Sequence, residues 1–440
     1  MQSHFIIGAA SSGSGKTTLT LGLLRALRDR GLKVQPFKCG PDYIDTRHHR
    51  EAAGKPSVNL DSFMMSEQHI HTLYHTYTND TDVAVTEGVM GLFDGYNGMK
   101  GSAAEIAGMM NIPVILIVNA KSTAYSVAPL IYGFKHFNKD LKIAGVIFNF
   151  VASENHYSFL KEAAHDAGVE SLGYLPKRTD IEIPSRHLGL TMDDNFAFDA
   201  FAGKIAALVE KHIDIDRLLE LAQATIPTAI DIVKTEKVLP GIREIAVAYD
   251  EAFNFVYEEN IQYLRQLGKV NFFSPLNDSH LPEADFIYLP GGYPELFLEK
   301  LSGNKTMLRN IHQYIEEGGK LLAECGGMMY LCNSITDKEG ITYPMAGILK
   351  QSATMEQMKL RLGYRTLCYN GFEMKGHEFH YSSIVPQEQM LPTVAEAFTA
   401  KGVQTDTPLY RYKNLLAGYT HLYWADDTKN DWFIHYLTSK

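Results

Sequence analysis

A glycine-rich segment near the start of the sequence has the residue types of a phosphate-binding loop. Residues 10–17 read Ala-Ser-Ser-Gly-Ser-Gly-Lys-Thr, after an apolar run and before helically spaced leucines. In such a loop, backbone N–H groups face phosphate oxygens, Lys16 reaches the β- and γ-phosphates, and the Thr17 hydroxyl binds Mg²⁺. Ala10 stands where the strict pattern has glycine. The predicted nucleotide-binding residues here are Gly13, Ser14, Gly15, Lys16, Thr17 and Thr18.

Two later apolar runs end in charged residues. Residues 37–45 read Phe-Lys-Cys-Gly-Pro-Asp-Tyr-Ile-Asp, and residues 86–94 read Thr-Glu-Gly-Val-Met-Gly-Leu-Phe-Asp. The carboxyl ends of parallel strands meet at one edge of a sheet, so these side chains are expected to converge on the phosphate loop. Carboxylates can hold Mg²⁺, and a lysine can neutralise a phosphoryl group in transfer. The predicted roles are metal binding for Thr17, Asp45 and Glu87, catalysis for Lys38, and phosphoryl transfer for Asp42 and Asp94. The alternative is that the charged residues only cap loops.

A cysteine in the second half lies in a sequence typical of a nucleophile elbow. Residues 320–329 read Lys-Leu-Leu-Ala-Glu-Cys-Gly-Gly-Met-Met, which predicts a strand, a sharp turn and a helix. Such a turn exposes its side chain, and the helix amino end favours the thiolate of Cys325. Residues 289–295 supply a second backbone N–H, so Gly292 and Gly326 are the predicted oxyanion hole. The alternative is a buried packing cysteine.

A histidine near the end of the sequence could serve as the base for this cysteine. Residues 418–424, Gly-Tyr-Thr-His-Leu-Tyr-Trp, place His421 after an apolar strand. A thiol nucleophile needs a group that takes its proton. The sequence therefore predicts a catalytic pair of Cys325 and His421.

Four other histidines are not assigned to catalysis. His377 and His380 have a His-x-x-His spacing, but the segment alternates like a strand and lacks the helical pair of a zinc site. They are expected to be structural or to contact substrate. His48 and His49 are expected at the surface.

Alternating strand and helix patterns predict the scaffold. Apolar runs of the parallel-sheet type occur at residues 4–10, 34–39, 83–86, 113–119 and 143–150. In the second half we predict strands at 244–249, 270–274, 285–289 and 320–324, helices at 255–267 and 306–317, and a strand-rich end after 340. The predicted fold class is α/β with two doubly wound domains. Their limits are residues 1–235 and 244–440, joined by a linker over 236–243.

Composition excludes several classes of function. The 440 residues are 45% hydrophobic, and 41 Lys and Arg against 51 Asp and Glu give a formal charge of −10. That length allows two to four domains, and the absence of a basic run argues against nucleic-acid binding. No apolar run approaches the roughly 20 residues of a membrane helix, and no signal peptide is evident. Four scattered cysteines indicate a reducing compartment, so we expect a cytoplasmic protein.

The motifs together resemble one family over nearly the whole chain. Residues 1–235 are similar to the dethiobiotin-synthetase-like, P-loop ATPase domain of cobyrinic acid a,c-diamide synthases, mainly through residues 37–45 and also through 87–88, 94–95 and 185–190. The second half resembles the triad-type, class I glutamine amidotransferase domain of cobyrinic and cobyric acid synthases. The residues that carry this second likeness are those of the elbow, Gly371, 376–382 and 418–424.

This resemblance implies a complete reaction. The first domain would bind MgATP, with Asn149 near the adenine, and phosphorylate a substrate carboxylate; the second would release ammonia from glutamine. The implied product is cobyrinic acid a,c-diamide, an intermediate of cobalamin biosynthesis. Hydrogenobyrinic acid and nickel-sirohydrochlorin remain alternative substrates. The implied partners are small molecules only, with the protein a monomer or homodimer.

One position departs from the family pattern and keeps other functions open. Triad amidotransferases usually have Glu two residues after the histidine, where this sequence has Tyr423. This departure indicates a dyad, or a glutaminase that needs help from elsewhere. The alternatives are an ammonia-using ligase and a P-loop ATPase switch, each with an inactive amidotransferase-like module.

Overall fold

The chain folds as two compact units, residues 1–232 and 233–440. The computed structural model describes residues 2–178, 197–224, 242–385 and 391–439. The segment 185–190 and most of the predicted linker lie outside these ranges. We therefore keep the domain limits 1–235 and 244–440 as a proposal. No helix among the described residues combines the length and apolar character needed to cross a bilayer.

The first unit is built on apolar strands that are buried along most of their length. In a parallel sheet helices cover both faces, so both sets of alternating side chains must be apolar. Its elements are β1 Ser3–Ala9, α1 Lys16–Asp29, β2 Val34–Cys39, α2 Ile44–Ala53, β3 Val58–Leu60, α3 Glu67–Thr78, β4 Val83–Glu87, α4 Ala103–Met110, β5 Val114–Asn119, α5 Val127–Phe137, β6 Ile143–Val151, α6 Glu154–Asp166, β7 Ser171–Pro176, α7 Phe198–His212 and α8 Ile215–Leu221.

Within the described residues, these strands form one parallel sheet in the order β3-β2-β4-β1-β5-β6-β7. The strand order reverses beside β1, where a crevice forms at the carboxyl edge of such sheets. The phosphate loop follows β1, so it opens at this position. Lys38 on β2 and Glu87 at the end of β4 lie on neighbouring strands, at paired register positions.

The second unit contains a mainly parallel sheet and two further sheets of mixed or antiparallel strands. Its elements are β8 Glu244–Ala248, α9 Glu258–Leu267, β9 Lys269–Phe273, β10 Phe286–Leu289, a 3₁₀ turn Pro294–Leu296, α10 Leu298–Gly303, α11 Lys305–Glu316, β11 Lys320–Glu324, α12 Gly326–Leu331, β12 Cys332–Thr336, β13 Thr342–Pro344, β14 Leu349–Thr354, β15 Arg361–Tyr369, β16 Phe372–His380, β17 Ser383–Val385, β18 Glu396–Thr399, β19 Gln404–Thr405, β20 Leu409–Tyr412, β21 Leu415–Gly418, β22 His421–Leu422 and α13 Asp431–Thr438.

In the described part of this unit, the main sheet has the order β20-β21-β11-β10-β8-β9, parallel except for the β20–β21 pair. A second sheet has the order β13-β12-β14-β17, and an antiparallel third has β19-β18-β15-β16-β22. The predicted α/β class and the strand-rich end are thereby confirmed. Because β11 and β21 are parallel neighbours, the residues after them, Cys325 and His421, come to the same sheet edge.

The predicted strands of both units occur within a few residues of their expected limits. The prediction omitted β3 and β7. β3 has only three residues, and β7 ends in a proline and contains Gly173. Both strands lie at the sides of the sheet, where the sequence carries a weaker apolar signal.

Candidate active sites

The phosphate loop is held by its glycines and by one buried asparagine. Gly13 and Gly15 have positive φ values of 75° and 91°, which glycine adopts readily. A Cβ on Gly15 would lie 1.9 Å from Nδ2 of Asn149, so a larger residue does not fit. That Nδ2 donates to the Ser14 carbonyl oxygen at 2.9 Å. Asn149 therefore braces the loop from β6, and its contact with adenine stays a prediction.

The charged residues predicted around the loop meet in one buried cluster. Lys38 Nζ donates to Asp45 Oδ2 at 2.6 Å and to Glu87 Oε1 at 2.9 Å. The Thr17 hydroxyl donates to Glu87 Oε1 at 2.8 Å and lies 3.4 Å from Asp45 Oδ2. All three charged side chains are buried. We call Thr17, Lys38, Asp45, Glu87 and His49 the ionic cluster.

Within the ionic cluster, Lys38 and Glu87 are held in their charged forms. Burial by itself lowers the pKa of Lys38, but the carboxylates of Asp45 and Glu87 outweigh it and hold that pKa above its ordinary value. Burial by itself raises the pKa of Glu87, but Lys38 and His49 outweigh it and hold the pKa well below its usual range. Opposite charges at hydrogen-bond distance thus compensate the cost of burial.

The oxygen donors of this cluster fit a magnesium ion that is shared with a nucleotide. Mg²⁺ prefers hard oxygen ligands, and it usually takes one or two carboxylates together with substrate phosphates. Within the described ranges, no three His, Cys, Asp or Glu side chains are grouped so as to hold a metal. An ion beside Thr17, Asp45 and Glu87 would therefore depend on phosphate oxygens.

The loop after β4 lies against the phosphate loop. Lys16 Nζ donates to the Met90 carbonyl oxygen at 2.5 Å. The backbone N–H of Leu92 donates to the carbonyl oxygen of Ala9 at 2.7 Å. Burial lowers the pKa of Lys16, although Glu87 opposes this shift. Phosphate oxygens would replace the Met90 carbonyl as a stronger acceptor for this ammonium group.

The remaining predicted residues of this site make local contacts. Asp42 Oδ1 accepts the N–H groups of Ile44 and Asp45, at 2.9 and 2.8 Å, at the start of α2. Asp94 Oδ2 accepts the Gly91 N–H at 3.0 Å. These are the contacts expected if Asp42 and Asp94 only cap loops. They give no support to a role in phosphoryl transfer. Thr18 lies in the first turn of α1.

The prediction that His48 and His49 lie at the surface is wrong. His49 is fully buried, and its Nε2 lies 2.7 Å from Glu87 Oε2. The His48 ring stacks on Phe198 of α7, with centroids 5.4 Å apart. α2 packs against both α1 and α7, which covers this face. His49 lies four residues after Asp45, about one turn of helix, so both side chains lie on the same face of α2. This spacing was the signal in the sequence that His49 is near the cluster.

Cys325 has the backbone geometry of a nucleophile elbow. Its φ is 47° and its ψ is −107°, a conformation that few residues other than glycine adopt. Its N–H donates to the Gly418 carbonyl oxygen at 2.7 Å, which ties the elbow to β21. A Cβ on Gly327 would lie 2.3 Å from the Leu289 carbonyl oxygen, so the helix after the elbow packs directly on β10.

The two glycines of the predicted oxyanion hole lie close together. A Cβ placed on Gly326 would be 3.2 Å from the backbone nitrogen of Gly292 and 2.7 Å from Pro294 Cδ. Burial raises the pKa of the Cys325 thiol, and the N–H of Gly326, which faces the sulfur, opposes this shift. The contacts are consistent with two backbone donors beside the sulfur, and the assignment of Gly292 and Gly326 to an oxyanion hole stays a prediction.

His421 is packed among aromatic rings and backbone. A Cβ on Gly291 would lie 2.2 Å from His421 Cε1, so the imidazole rests on the Gly291 backbone. The His377 ring stacks on it, with centroids 5.1 Å apart and an interplanar angle of 21°. The Tyr257 hydroxyl lies 2.9 Å from Nδ1 of His377. His421 is 1% exposed, so its ring is held in one place.

Burial favours the neutral forms of both catalytic candidates. It raises the pKa of the Cys325 thiol, and Glu295 raises it further, which outweighs the Gly326 N–H. It lowers the pKa of His421 well below its ordinary value, and His377 adds to that shift. The thiol form of Cys325 is therefore favoured in the resting protein, and stabilisation of a thiolate by the helix amino end stays a prediction. The proton would leave the sulfur for His421 as the thiol attacks.

Tyr423, which stands where triad enzymes have Glu, packs against the Tyr257 ring with centroids 5.4 Å apart. Its N–H donates to the Lys375 carbonyl oxygen at 3.0 Å. A carboxylate does lie nearby, on Glu324, which our interpretation of the sequence did not assign. The signal that pointed to Glu324 was a charged residue at the end of a buried apolar strand.

Family models match both units of this chain. Residues 5–190 match the CobQ/CobB/MinD/ParA nucleotide binding domain, and residues 244–429 match the CobB/CobQ-like glutamine amidotransferase domain. The fold and both sites thus define an ATP-dependent amidoligase that takes its nitrogen from glutamine.

Curated relatives cover almost the full length of the chain. Two of these relatives are named cobyrinate a,c-diamide synthase. The protein from Caldanaerobacter subterraneus subsp. tengcongensis is 41% identical to this chain, over 95% of this chain and 94% of the relative. The protein from Streptococcus sanguinis is 40% identical, over 96% of this chain and 96% of the relative. The protein of that name from Methanocaldococcus jannaschii is 39% identical over 94% of this chain and 95% of its own. The chain belongs to the cobyrinate a,c-diamide synthase family, whose reaction is part of cobalamin biosynthesis.

Proposed function

We propose that the protein converts cobyrinic acid to its a,c-diamide, in two amidations that each consume ATP and glutamine. The observation that carries this proposal is the presence, in one chain, of a phosphate loop with a compensated ionic cluster and of a strained cysteine elbow with a buried histidine. The name of the full-length relatives supports the substrate. Hydrogenobyrinic acid and nickel-sirohydrochlorin remain the alternatives.

In the first unit, the substrate carboxylate would attack the γ-phosphorus of ATP, with ADP leaving, to give an acyl phosphate. A phosphate is a far better leaving group than an oxide, so ammonia can then displace it and form the amide. Lys16 and the loop N–H groups would hold the phosphates, and Lys38 would stabilise charge on the transferring group. Bound Mg²⁺ would neutralise phosphate charge, held by Thr17, Asp45 and Glu87.

In the second unit, Cys325 would attack the side-chain amide of glutamine. His421 takes the thiol proton and passes it to the leaving nitrogen, so ammonia departs and a thioester remains. Water then hydrolyses the thioester, with His421 again accepting the proton. The N–H groups of Gly292 and Gly326 would stabilise the oxyanion in both steps.

The test is a product assay with the full-length protein, MgATP and glutamine on each of the three tetrapyrrole acids. We expect cobyrinic acid to exchange OH for NH₂ twice, with one phosphate and one glutamate released per exchange. Substrate carboxylates labelled with heavy oxygen should transfer one labelled oxygen to each phosphate released. Two exchanges on another tetrapyrrole would correct the substrate, and unlabelled phosphate would reject the acyl phosphate. ATP hydrolysis without any amide product would favour the ATPase-switch alternative.

The proposal extends to the compartment and the assembly of the protein. We propose that the protein acts in the cytoplasm as a monomer or homodimer, without nucleic acid. Gel filtration with light scattering would settle the oligomeric state.

A further inference from the structure

Glu324 is a buried carboxylic acid beside the catalytic pair. It ends β11, immediately before Cys325, and is 1% exposed. Its Oε2 accepts the Tyr288 hydroxyl at 2.7 Å, and its Oε1 accepts the Leu422 N–H at 2.9 Å. These two contacts fix the carboxyl group from β10 and β22. Oε2 is thereby held 4.0 Å from Nδ1 of His421.

We propose that Glu324 is the positioning residue for His421 in glutamine hydrolysis. In triad enzymes this carboxylate lies two residues after the histidine, whereas here it would come from the end of the strand that precedes the nucleophile. This inference rests on the proposed glutaminase function. It explains why Tyr423 can occupy the position where triad enzymes have Glu. The carboxylate lies instead on β11, a strand that ends at the same sheet edge.

The proposal gives the two nitrogens of His421 different roles. Nδ1 is the nitrogen near Glu324, so Nε2 would take the thiol proton of Cys325. When His421 takes that proton, its ring becomes a cation in a buried place. A carboxylate 4.0 Å away stabilises this cation more strongly than it would in water, because the surroundings are of low polarity.

Other titratable groups near His421 do not offer the same support. Burial lowers the pKa of His377 to about 3, so this stacked ring is neutral and adds no negative charge. Glu378 forms an ion pair with Arg365, in which Oε2 lies 2.8 Å from Nη2. Tyr257 and Tyr288 are phenols, and burial raises the pKa of Tyr288 well above its ordinary value.

Glu324 should give the reaction a characteristic pH dependence. Burial raises the pKa of Glu324 to about 8, while the Tyr288 hydroxyl and the Leu422 N–H oppose this shift. The ionised fraction of the carboxyl group therefore grows as pH rises through this value, so glutamine hydrolysis should rise with it. Removing the Tyr288 hydroxyl removes a group that lowers this pKa and should move the rise to higher pH.

The experiment measures glutamate release and ammonia-driven amidation by the full-length enzyme with MgATP and cobyrinic acid. General-base catalysis contributes roughly 100- to 10,000-fold, and we expect Glu324→Gln to lose about 10- to 100-fold in kcat for glutamine. The KM for glutamine and the ammonia-driven rate should stay within about twofold. The rise near pH 8 should disappear in Glu324→Gln. It should persist, at higher pH, in the matched control Tyr288→Phe, and Glu324→Asp should recover part of the rate.

Two results would overturn the proposal. One is a Glu324→Gln enzyme with unchanged kcat and an unchanged pH profile. The other is an equal loss of glutamine-driven and ammonia-driven rates in both Glu324 variants, which would assign Glu324 a purely structural role. A wrong tetrapyrrole substrate gives a different result: the wild type would release glutamate without forming an amide, and glutamate release by the variants still decides the role of Glu324.

Discussion

The two sites bury titratable groups in opposite ways. In the ionic cluster, Lys38 and Glu87 stay charged because opposite charges lie within 2.9 Å. Around the elbow, Cys325 and His421 are held neutral because burial outweighs the neighbouring groups that would stabilise a charge. In the proposed mechanism this difference has a purpose: the first site receives charges that arrive with a ligand. The second would generate its charges during the reaction, where a nearby acid such as Glu324 would stabilise them.

Cys325→Ser gives the largest expected effect and tests the neutral site alone. An oxygen in place of sulfur is a much weaker nucleophile, so glutamine-driven amidation should fall by at least about 1,000-fold. Ammonia-driven amidation, at high ammonium and alkaline pH, should persist. The control is Cys368→Ser, at a half-exposed cysteine outside the site. Substantial glutamine use by Cys325→Ser would show that the nucleophile lies elsewhere.

Lys16→Ala tests the charged site and should affect both nitrogen sources equally. Loss of a group that binds the transferring phosphate should lower both rates by at least about 100-fold. Turnover of each nitrogen donor is measured with MgATP held in excess. Lys33→Ala, at an exposed lysine paired with Asp80, should leave both rates unchanged. Retained turnover in Lys16→Ala would remove the phosphate loop from the mechanism.

Glu87→Gln removes one of the two carboxylates that compensate the buried charge of Lys38. It should reduce the stability of the first unit. Losing one partner of a buried pair costs about 3 kcal/mol at the low end, and Asp45 remains to pair with Lys38. Because the folded pKa of Glu87 is lowered, its contribution is complete above the ordinary carboxyl pKa and is lost as pH falls below it. Urea unfolding should therefore show a gap between wild type and variant that is full at pH 7 and narrows in acid.

The exposed control for this measurement is Glu51→Gln, whose side chain pairs with Arg47 on the surface of α2. Its unfolding curve should match the wild type at every pH. A gap for Glu87→Gln that stayed constant in acid would mean that the charge of Glu87 is not what stabilises the cluster.

His49→Gln should have the smallest effect, because His49 contacts Glu87 but not Lys38 or Thr17 in the described hydrogen bonds. Glutamine keeps a donor near Glu87 Oε2 but loses the fit of the ring, which should cost about 1 kcal/mol. Amidation with either nitrogen source should fall less than about tenfold. His165→Gln, at an exposed histidine on α6, serves as the control. A loss as large as that of Lys16→Ala would give His49 a direct part in catalysis.

Local sequence patterns predicted the local backbone geometry at both sites, and the roles of the site residues stay predictions. The loop glycines and Lys16 follow from sequence alone, because only glycine adopts the positive φ of residues 13 and 15 without strain. The elbow was predictable for a similar reason, since a strand, a cysteine and two glycines leave few conformations for the turn. The capping contacts of Asp42 and Asp94 were among the alternatives but could not be chosen without the fold.

What the sequence determined by itself was the α/β class, the strands that end at each site, and the nucleotide and cysteine motifs. These depend on apolar periodicity and on short-range backbone geometry, which are local properties of the chain. Only the tertiary structure decided that His49 is buried against Glu87, that Cys325 and His421 are held neutral, and that Glu324 faces His421. Burial and the distance between charges depend on residues far apart in sequence, so packing alone brings these groups together and sets their charges.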